Sequence, residues 1–110
     1  MRSEDHLTKP QQYSLVYSKG NSWASSLIIM KAMPNGLSLS RYGLSVSKRV
    51  GKAVVRNRIK RLLREILRME SFKTGWDIIL IARPAAAEVD YVSLKNSVIT
   101  LLTQADLLKT

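Results

Sequence analysis

The amino-acid sequence predicts an α+β fold, a two-layer sandwich whose elements run helix, strand, strand, helix, strand, helix within one domain spanning residues 1–110. Three observations predict it. Two segments, near residues 54–69 and 90–108, repeat apolar residues at helical spacing. Two short apolar runs, SLIIM and WDIILIA, have the length of strands and are far too short to cross a bilayer. No internal repeat, linker or low-complexity stretch divides the chain. Its 110 residues, 45% of them hydrophobic, suffice to bury about two thirds of the unfolded surface around one core.

The elements follow in order. TKPQQYSLVYSKG reads as a first helix, with Pro10 suited to the opening turn and Gly20 to the stop. Residues 1–9 precede it as an expected mobile tail, polar throughout and without the pattern of a signal peptide. Ser25 to Met33 reads as a strand and Pro34-Asn35-Gly36 as a turn. A second strand, Leu39 to Ser47, is expected to complete a hairpin with the first. A helix runs from Val54 to Met69, and Gly75 then introduces the buried-strand candidate WDIILIA, which Pro84 ends. Asp90 is placed to cap a last helix, along which Leu94, Val98, Leu101, Leu102, Ala105 and Leu108 form one stripe.

Charge narrows the function. Eighteen Lys and Arg against eight Asp and Glu give a net charge of +10, a self-repulsion that a polyanionic partner would relieve. The excess is local: residues 41–68 hold ten basic side chains and one acidic, whereas residues 69–110 hold four basic and five acidic. No cysteine is present, so disulfides and thiolate metal sites are excluded, in keeping with an intracellular setting. Nuclease chemistry of the chain's own needs clustered carboxylates or paired histidines. The only histidine is His6, and the acids are scattered, with Asp77 at a strand start and Glu88 and Asp90 in loop and cap positions. No catalytic residue and no metal-ligand set emerges.

The excess charge centres on KRVGKAVVRNRIKRLLRE, Lys48 to Glu65, in which eight of eighteen residues are basic. On a helical wheel Val55, Ile59, Leu62, Leu63, Ile66 and Met69 share one face. Arg56, Asn57, Lys60, Arg61, Arg64 and Arg68 share the other, with Arg58 and Glu65 on a flank. Like charges three and four residues apart cost roughly 0.2–0.5 kcal/mol per pair. Lys48, Arg49, Lys52 and Arg56 crowd the positive end of the helix dipole, where carboxylates are favoured by about 0.3–1 kcal/mol. A bound phosphate removes both penalties, and the arginine fork suits phosphate better than a lysine does. A solvated charged face is the bland alternative. Its one sign, and its start at the unfavourable dipole end, favour nucleic acid. Charge does not separate RNA from DNA.

VRNRIKRLLRE, preceded by GLSVSKRVGKA, closely resembles the RNR motif of the bacterial ribonuclease P protein subunit, and the likeness extends over almost the whole chain. It includes a first helix with aromatics one turn apart, a hairpin, the RNR helix, a strand ending in IAR, and a last helix. The resemblance implies a left-handed strand–helix–strand crossover, an exception to the usual right-handed rule. It implies a division of labour in which a catalytic RNA hydrolyses a phosphodiester of precursor tRNA and so frees the mature 5′ end. The protein binds that RNA and touches the 5′ leader in a cleft. RNA contacts then fall on Lys48, Arg49, Lys52, Arg56, Asn57, Arg58, Lys60, Arg61, Arg64 and Arg68. Asn57 offers both a donor and an acceptor, suited to a base edge or equally to an ordinary helix surface.

By the same resemblance, leader contacts fall on Tyr13, Tyr17, Lys31, Ser45, Ser47 and Arg83. Tyr13 and Tyr17 stack bases or else cap the core, and from the residues alone capping is favoured. Gly43, Ser45 and Ser47 give a strand face of small residues, which admits a single strand or else a packed helix. Lys31 and Arg83 flank the cleft or are ordinary surface cations. The resemblance further implies Mg2+ for the holoenzyme, held mainly by RNA and not by a dedicated protein site. Its partners are the catalytic RNA and precursor tRNA, with no membrane and no obligate protein partner, in the cytoplasm. Two departures bear on leader binding: Glu4 and Asp5 stand where the family has basic residues, and tyrosines replace its commoner phenylalanines. A ribosomal or RNA-assembly protein is the alternative, since it would share the basic helix without needing an aromatic cleft.

Overall fold

A computed structural model describes residues 6–109. Helix α1 spans Pro10–Lys19, strand β1 Asn21–Ala24, β2 Ile28–Pro34, β3 Arg41–Ser45, helix α2 Ala53–Met69, β4 Trp76–Ala82 and helix α3 Tyr91–Gln104. A short 3-10 helix, Pro84–Glu88, links β4 to α3. The α+β class and all three helices agree with the sequence pattern. Pro10 is the first helical residue of α1, Gly20 its C-cap, and the Asp90 carboxylate accepts a 2.8 Å hydrogen bond from the Ser93 amide at the start of α3.

The strands depart from expectation. The sheet has four strands in the order β1-β2-β4-β3, and the anticipated β2–β3 hairpin does not form. β2 pairs antiparallel with β4, which in turn pairs parallel with β3. The reason lies in WDIILIA. Ile78, Ile79 and Leu80 are all buried, and a strand that is apolar on both faces requires cover on both faces and a neighbour on each edge. β4 therefore takes the interior of the sheet and separates β2 from β3. The hairpin partner of β2 is β1, a strand whose residues NSWA are too exposed and irregular to announce it. Within the stretch expected as one strand, the Ser25 hydroxyl accepts the Leu27 and Ile28 amides and makes the turn between the two.

The two sheet faces are covered differently. Ile28, Met30, Ala32, Ile78, Leu80 and Ala82 face the main core, which α2 fills with Ile59, Leu63, Ile66 and Leu67 and α3 with Leu94, Val98, Leu101 and Leu102. Each Ile, Leu, Val or Met among them contributes about 1.5–3 kcal/mol relative to exposure, and the two alanines less. This is the sandwich the sequence predicts. α1 adds cover on the other face, where Val16, Ile79 and Leu7 form a smaller cluster with Tyr13, Met33 and Ile81. In α2 the buried arc is displaced from the predicted one, for Leu67 is fully buried while Met69 is 69% exposed. Ala105 and Leu108 are half-buried at the end of the α3 stripe.

At one end of the sheet Asp77, 3% exposed, receives Arg41 through two bonds of 2.8 and 2.7 Å and the Asn35 amide at 2.9 Å. This pair raises the Arg41 pKa and ties β3 to β4 at the base of the crossover. The expected tail divides. Residues 1–5 lie outside the described residues, whereas Leu7 is buried and its amide donates to the Tyr42 carbonyl at 2.8 Å, along the outer edge of β3. The Gln12 side chain accepts the amides of Thr8 and Lys9 and fixes this approach to α1.

Candidate RNA-binding surface and cleft

α2 begins without protection. Its N-cap is Lys52, whose side chain makes no capping bond, and no acidic residue occupies the first turn. The preceding turn exposes Lys48 and Arg49 over a buried Val50. Asn57, Arg61, Arg64 and Arg68 are exposed along the helix, and Arg56 and Lys60 are half-buried beside them. Among the described residues, none of these cations is ion-paired with a carboxylate. The ridge read from the sequence is therefore present, and its charge is available to a polyanion.

Arg58 behaves differently from its predicted companions. Its guanidinium donates to the Val89 carbonyl at 2.9 Å and reaches the Ala87 carbonyl at 3.5 Å, so it braces the segment between the 3-10 helix and α3. Arg56 likewise spends one donor, Nε, on the Gly51 carbonyl at 3.2 Å, but remains beside the ridge.

On the α1 side a cleft of about 260 Å³ opens between α1, the edge of β3 and α2. Tyr13, Tyr42, Gly43 and Leu44 line it with His6 and Leu7, and α2 closes it with Lys60 and Arg64. The His6 and Tyr42 rings meet edge-on, with centroids 4.4 Å apart. The Tyr13 hydroxyl donates to the Leu7 carbonyl at 3.4 Å. Burial pushes the Tyr13 phenol above its ordinary pKa, an effect partly opposed by a hydrogen bond with the Leu44 backbone.

The predicted leader residues separate. Of the six, Tyr13 alone lines the cleft, beside Gly43 of the small-residue strand face; Tyr17, Lys31, Ser45, Ser47 and Arg83 do not. Cross-strand register puts Lys31, Ile79 and Gly43 in one row and Ile29, Ile81 and Ser45 in the next, so Lys31 and Ser45 share the sheet face that α1 partly covers. Tyr17 is 39% exposed, Ser47 is exposed, and the Arg83 guanidinium donates to the Ser25 carbonyl at 3.2 Å. Sequence reasoning missed His6, Leu7, Tyr42 and Leu44. Gln12 at the third position of α1 was the available signal that the residues before the helix are held. Nothing local announces Tyr42, whose place depends on β3 being an edge.

The arrangement can neutralise phosphates along α2 and stack an unpaired base beside them, and Lys60 and Arg64 belong to both regions. The described residues contain no cluster of three His, Asp or Glu able to hold a metal ion.

Known proteins share this architecture and sequence. The family model described as Ribonuclease P matches residues 1–106. The ribonuclease P protein component of Dehalococcoides mccartyi (strain CBDB1) is 48% identical over 108 residues, covering 98% of this chain and 90% of that one. That of Caldanaerobacter subterraneus subsp. tengcongensis is 46% identical over 103 residues, covering 92% and 89%. Among solved structures, a Staphylococcus aureus RNase P protein mutant with defective mRNA degradation activity superposes with a TM-score of 0.90 at 32% identity, covering 96% of this chain and 91% of that one. The RNase P protein from Thermotoga maritima gives a TM-score of 0.83 at 28% identity, covering 90% and 96%. With the match running from end to end of the fold and through the cationic helix, the chain belongs to the ribonuclease P protein family.

Proposed function

We propose that this chain is the RNA-binding protein subunit of ribonuclease P and assists a catalytic RNA in removing the 5′ leader of precursor tRNA. The observation that carries the reading is the continuity of ridge and cleft. Lys60 and Arg64 project from the cationic helix into a cavity walled by Tyr13 and Tyr42, so one polyanion on α2 and one unpaired strand in the cleft can be held together. A general RNA-assembly protein needs the first feature and not the second.

In this reading Lys48, Arg49, Lys52, Arg56, Asn57, Lys60, Arg61, Arg64 and Arg68 face the catalytic RNA, and Arg58 supports them from behind. Arg61 and Arg68, exposed and one face apart from the core, supply phosphate neutralisation. Tyr13 provides a stacking surface for a leader base, which needs no sequence preference because every base has a π face. Lys60 and Arg64 hold the adjoining phosphates. The hydrolytic chemistry belongs to the RNA. Magnesium would supply neutralisation and orientation of phosphates in the holoenzyme and would be held mainly by RNA oxygens, since α2 carries six cations, Arg56, Arg58, Lys60, Arg61, Arg64 and Arg68, against one carboxylate, Glu65. The reading also places the chain in the cytoplasm. Among the described residues no helix is long and apolar enough to cross a membrane.

Reconstitution tests the proposal. The purified chain, a bacterial ribonuclease P RNA and labelled precursor tRNA are combined at low magnesium, and each component is omitted in turn. Cleavage at the mature 5′ end that requires both RNA and protein is the expected result. Tight binding of the RNA with no stimulation of cleavage would favour the RNA-assembly alternative.

A further inference from the structure

Gly43 sits inside β3, buried, opposite Ile79 of β4. A glycine weakens a strand interior, because it brings backbone entropy and no side chain to pack. Backbone conformation does not require one here: the glycines with left-handed or otherwise positive φ are Gly36, Gly51 and Gly75. Space does require one. A Cβ at position 43 would stand 2.6 Å from the Tyr13 hydroxyl oxygen and 2.7 Å from ring atoms Cε2 and Cζ. The phenol end of Tyr13 thus fills the volume that any other residue at 43 would take for itself. The same hydroxyl makes only a long contact, 3.4 Å, with the Leu7 carbonyl, so the seat at Gly43 is the closer constraint on the ring.

We propose that Gly43 is a positioning residue for leader binding, acting only through Tyr13: it vacates the seat in which the Tyr13 ring is held against the sheet. This rests on the reading of the cleft given above. The sequence suggested a different use for Gly43, direct approach of a single strand to the β3 backbone. Tyr13 already occupies that approach. A ring seated against the β3 backbone at Gly43 is ordered before the leader arrives, so less freedom is lost on stacking. Tyr17, one turn along α1 and 39% exposed, does not line this cleft. Of the two aromatics, Tyr13 alone is therefore placed as the platform of this cleft.

The test is a double-mutant cycle with Tyr13→Ala, Gly43→Ala and the double variant, each assembled with the ribonuclease P RNA of Dehalococcoides mccartyi. Affinities for precursor and mature tRNA are measured with calcium in place of magnesium, and cleavage is followed in parallel so that only uncleaved complex is counted. Stacking of one base sets the scale at roughly 5- to 150-fold for loss of precursor relative to mature tRNA in Tyr13→Ala. Gly43→Ala should show most of that selective loss, and the double variant no more than Tyr13→Ala alone. Multiplying losses would overturn the proposal, because Gly43 would then act on the strand directly. Thermal melting of the free proteins gives a second readout that needs no leader. Gly43→Ala should lower the melting temperature when Tyr13 is present and leave it unchanged or raise it by a few degrees when residue 13 is alanine, since the seat is then empty and alanine suits a strand interior better than glycine. Equal shifts on both backgrounds would remove the seat itself. Coupling in melting without any leader-selective loss for Tyr13→Ala would overturn the leader role of the cleft while the seat stands.

Discussion

Arg58 and Arg61 lie three residues apart in the same basic segment, yet the structure assigns them opposite consequences when removed. Arg58 holds the Val89 carbonyl at 2.9 Å; its second contact, 3.5 Å to Ala87, is at the limit of a hydrogen bond and adds little. A bond from a charged donor contributes about 1.5–3 kcal/mol, and Arg58→Ala leaves the carbonyl without its partner. For a domain of this size that loss lowers Tm by roughly 6–12 °C. Arg61 is exposed and, among the described residues, not ion-paired, so Arg61→Ala should leave Tm within about 2 °C. RNA binding should divide the other way. Each lost phosphate contact reduces the slope of log affinity against log salt by about one unit. Arg61→Ala should show that reduction and Arg58→Ala should not. The assays are thermal melting of the free protein and titration of ribonuclease P RNA at four or more salt concentrations. A slope reduced by one unit in Arg58→Ala, with an unchanged Tm, would refute the assignment of its guanidinium to the protein backbone.

The remaining predictions concern the cleft, the ion pair and the last helix. Tyr13→Ala should weaken binding of precursor tRNA by about 1–3 kcal/mol and of mature tRNA far less; equal losses would show that Tyr13 is not a leader contact. Asp77→Ala should cost about 1.5–3 kcal/mol in urea unfolding, because it removes the buried carboxylate that accepts Arg41 and Asn35, while the Arg41 guanidinium left behind is 21% exposed and can reach water. A loss under about 1 kcal/mol would mean that the pair is not structural. The Ser93 amide bond holds the Asp90 carboxyl below the usual aspartate pKa, so ionisation is favoured in the folded state. That contribution is complete above the ordinary aspartate value and disappears as pH falls through the lower, folded value. Asp90→Asn, which caps without titrating, should therefore show a flatter acid limb in a plot of Tm against pH. Superimposable acid limbs would exclude Asp90 as a contributor.

How far the sequence reached depends on the range of the forces involved. Pro10, Gly20 and Asp90 mark helix ends because capping acts within one turn, and the structure places all three at those ends. The amphipathic period of α2 is likewise local, so its apolar and cationic faces were legible from spacing, and with them the class of partner. The one-signed charge of residues 41–68 needed no coordinates at all. Family resemblance supplied what periodicity could not, the division of labour between protein and RNA.

Tertiary structure alone decided which elements meet. A strand's sequence reports that it is apolar on both faces but not which neighbours it takes, and so β4 displaced the anticipated β2–β3 pairing. The wheel gave Met69 to the core and Arg58 to a flank of the ridge, and the family resemblance counted Arg58 among the RNA contacts. The structure gives Leu67 to the core and the Arg58 guanidinium to the Val89 carbonyl, because α3 and the segment before it fix the rotation of α2 and the acceptors within reach. The cleft is the clearest case. His6, Tyr13, Gly43 and Lys60 are scattered over more than fifty residues of chain, and they converge only because β3 is an edge strand on which the N-terminal segment, α1 and α2 all close. Residue type and local period determined what surface this protein presents; long-range pairing and packing determined where that surface folds into a site.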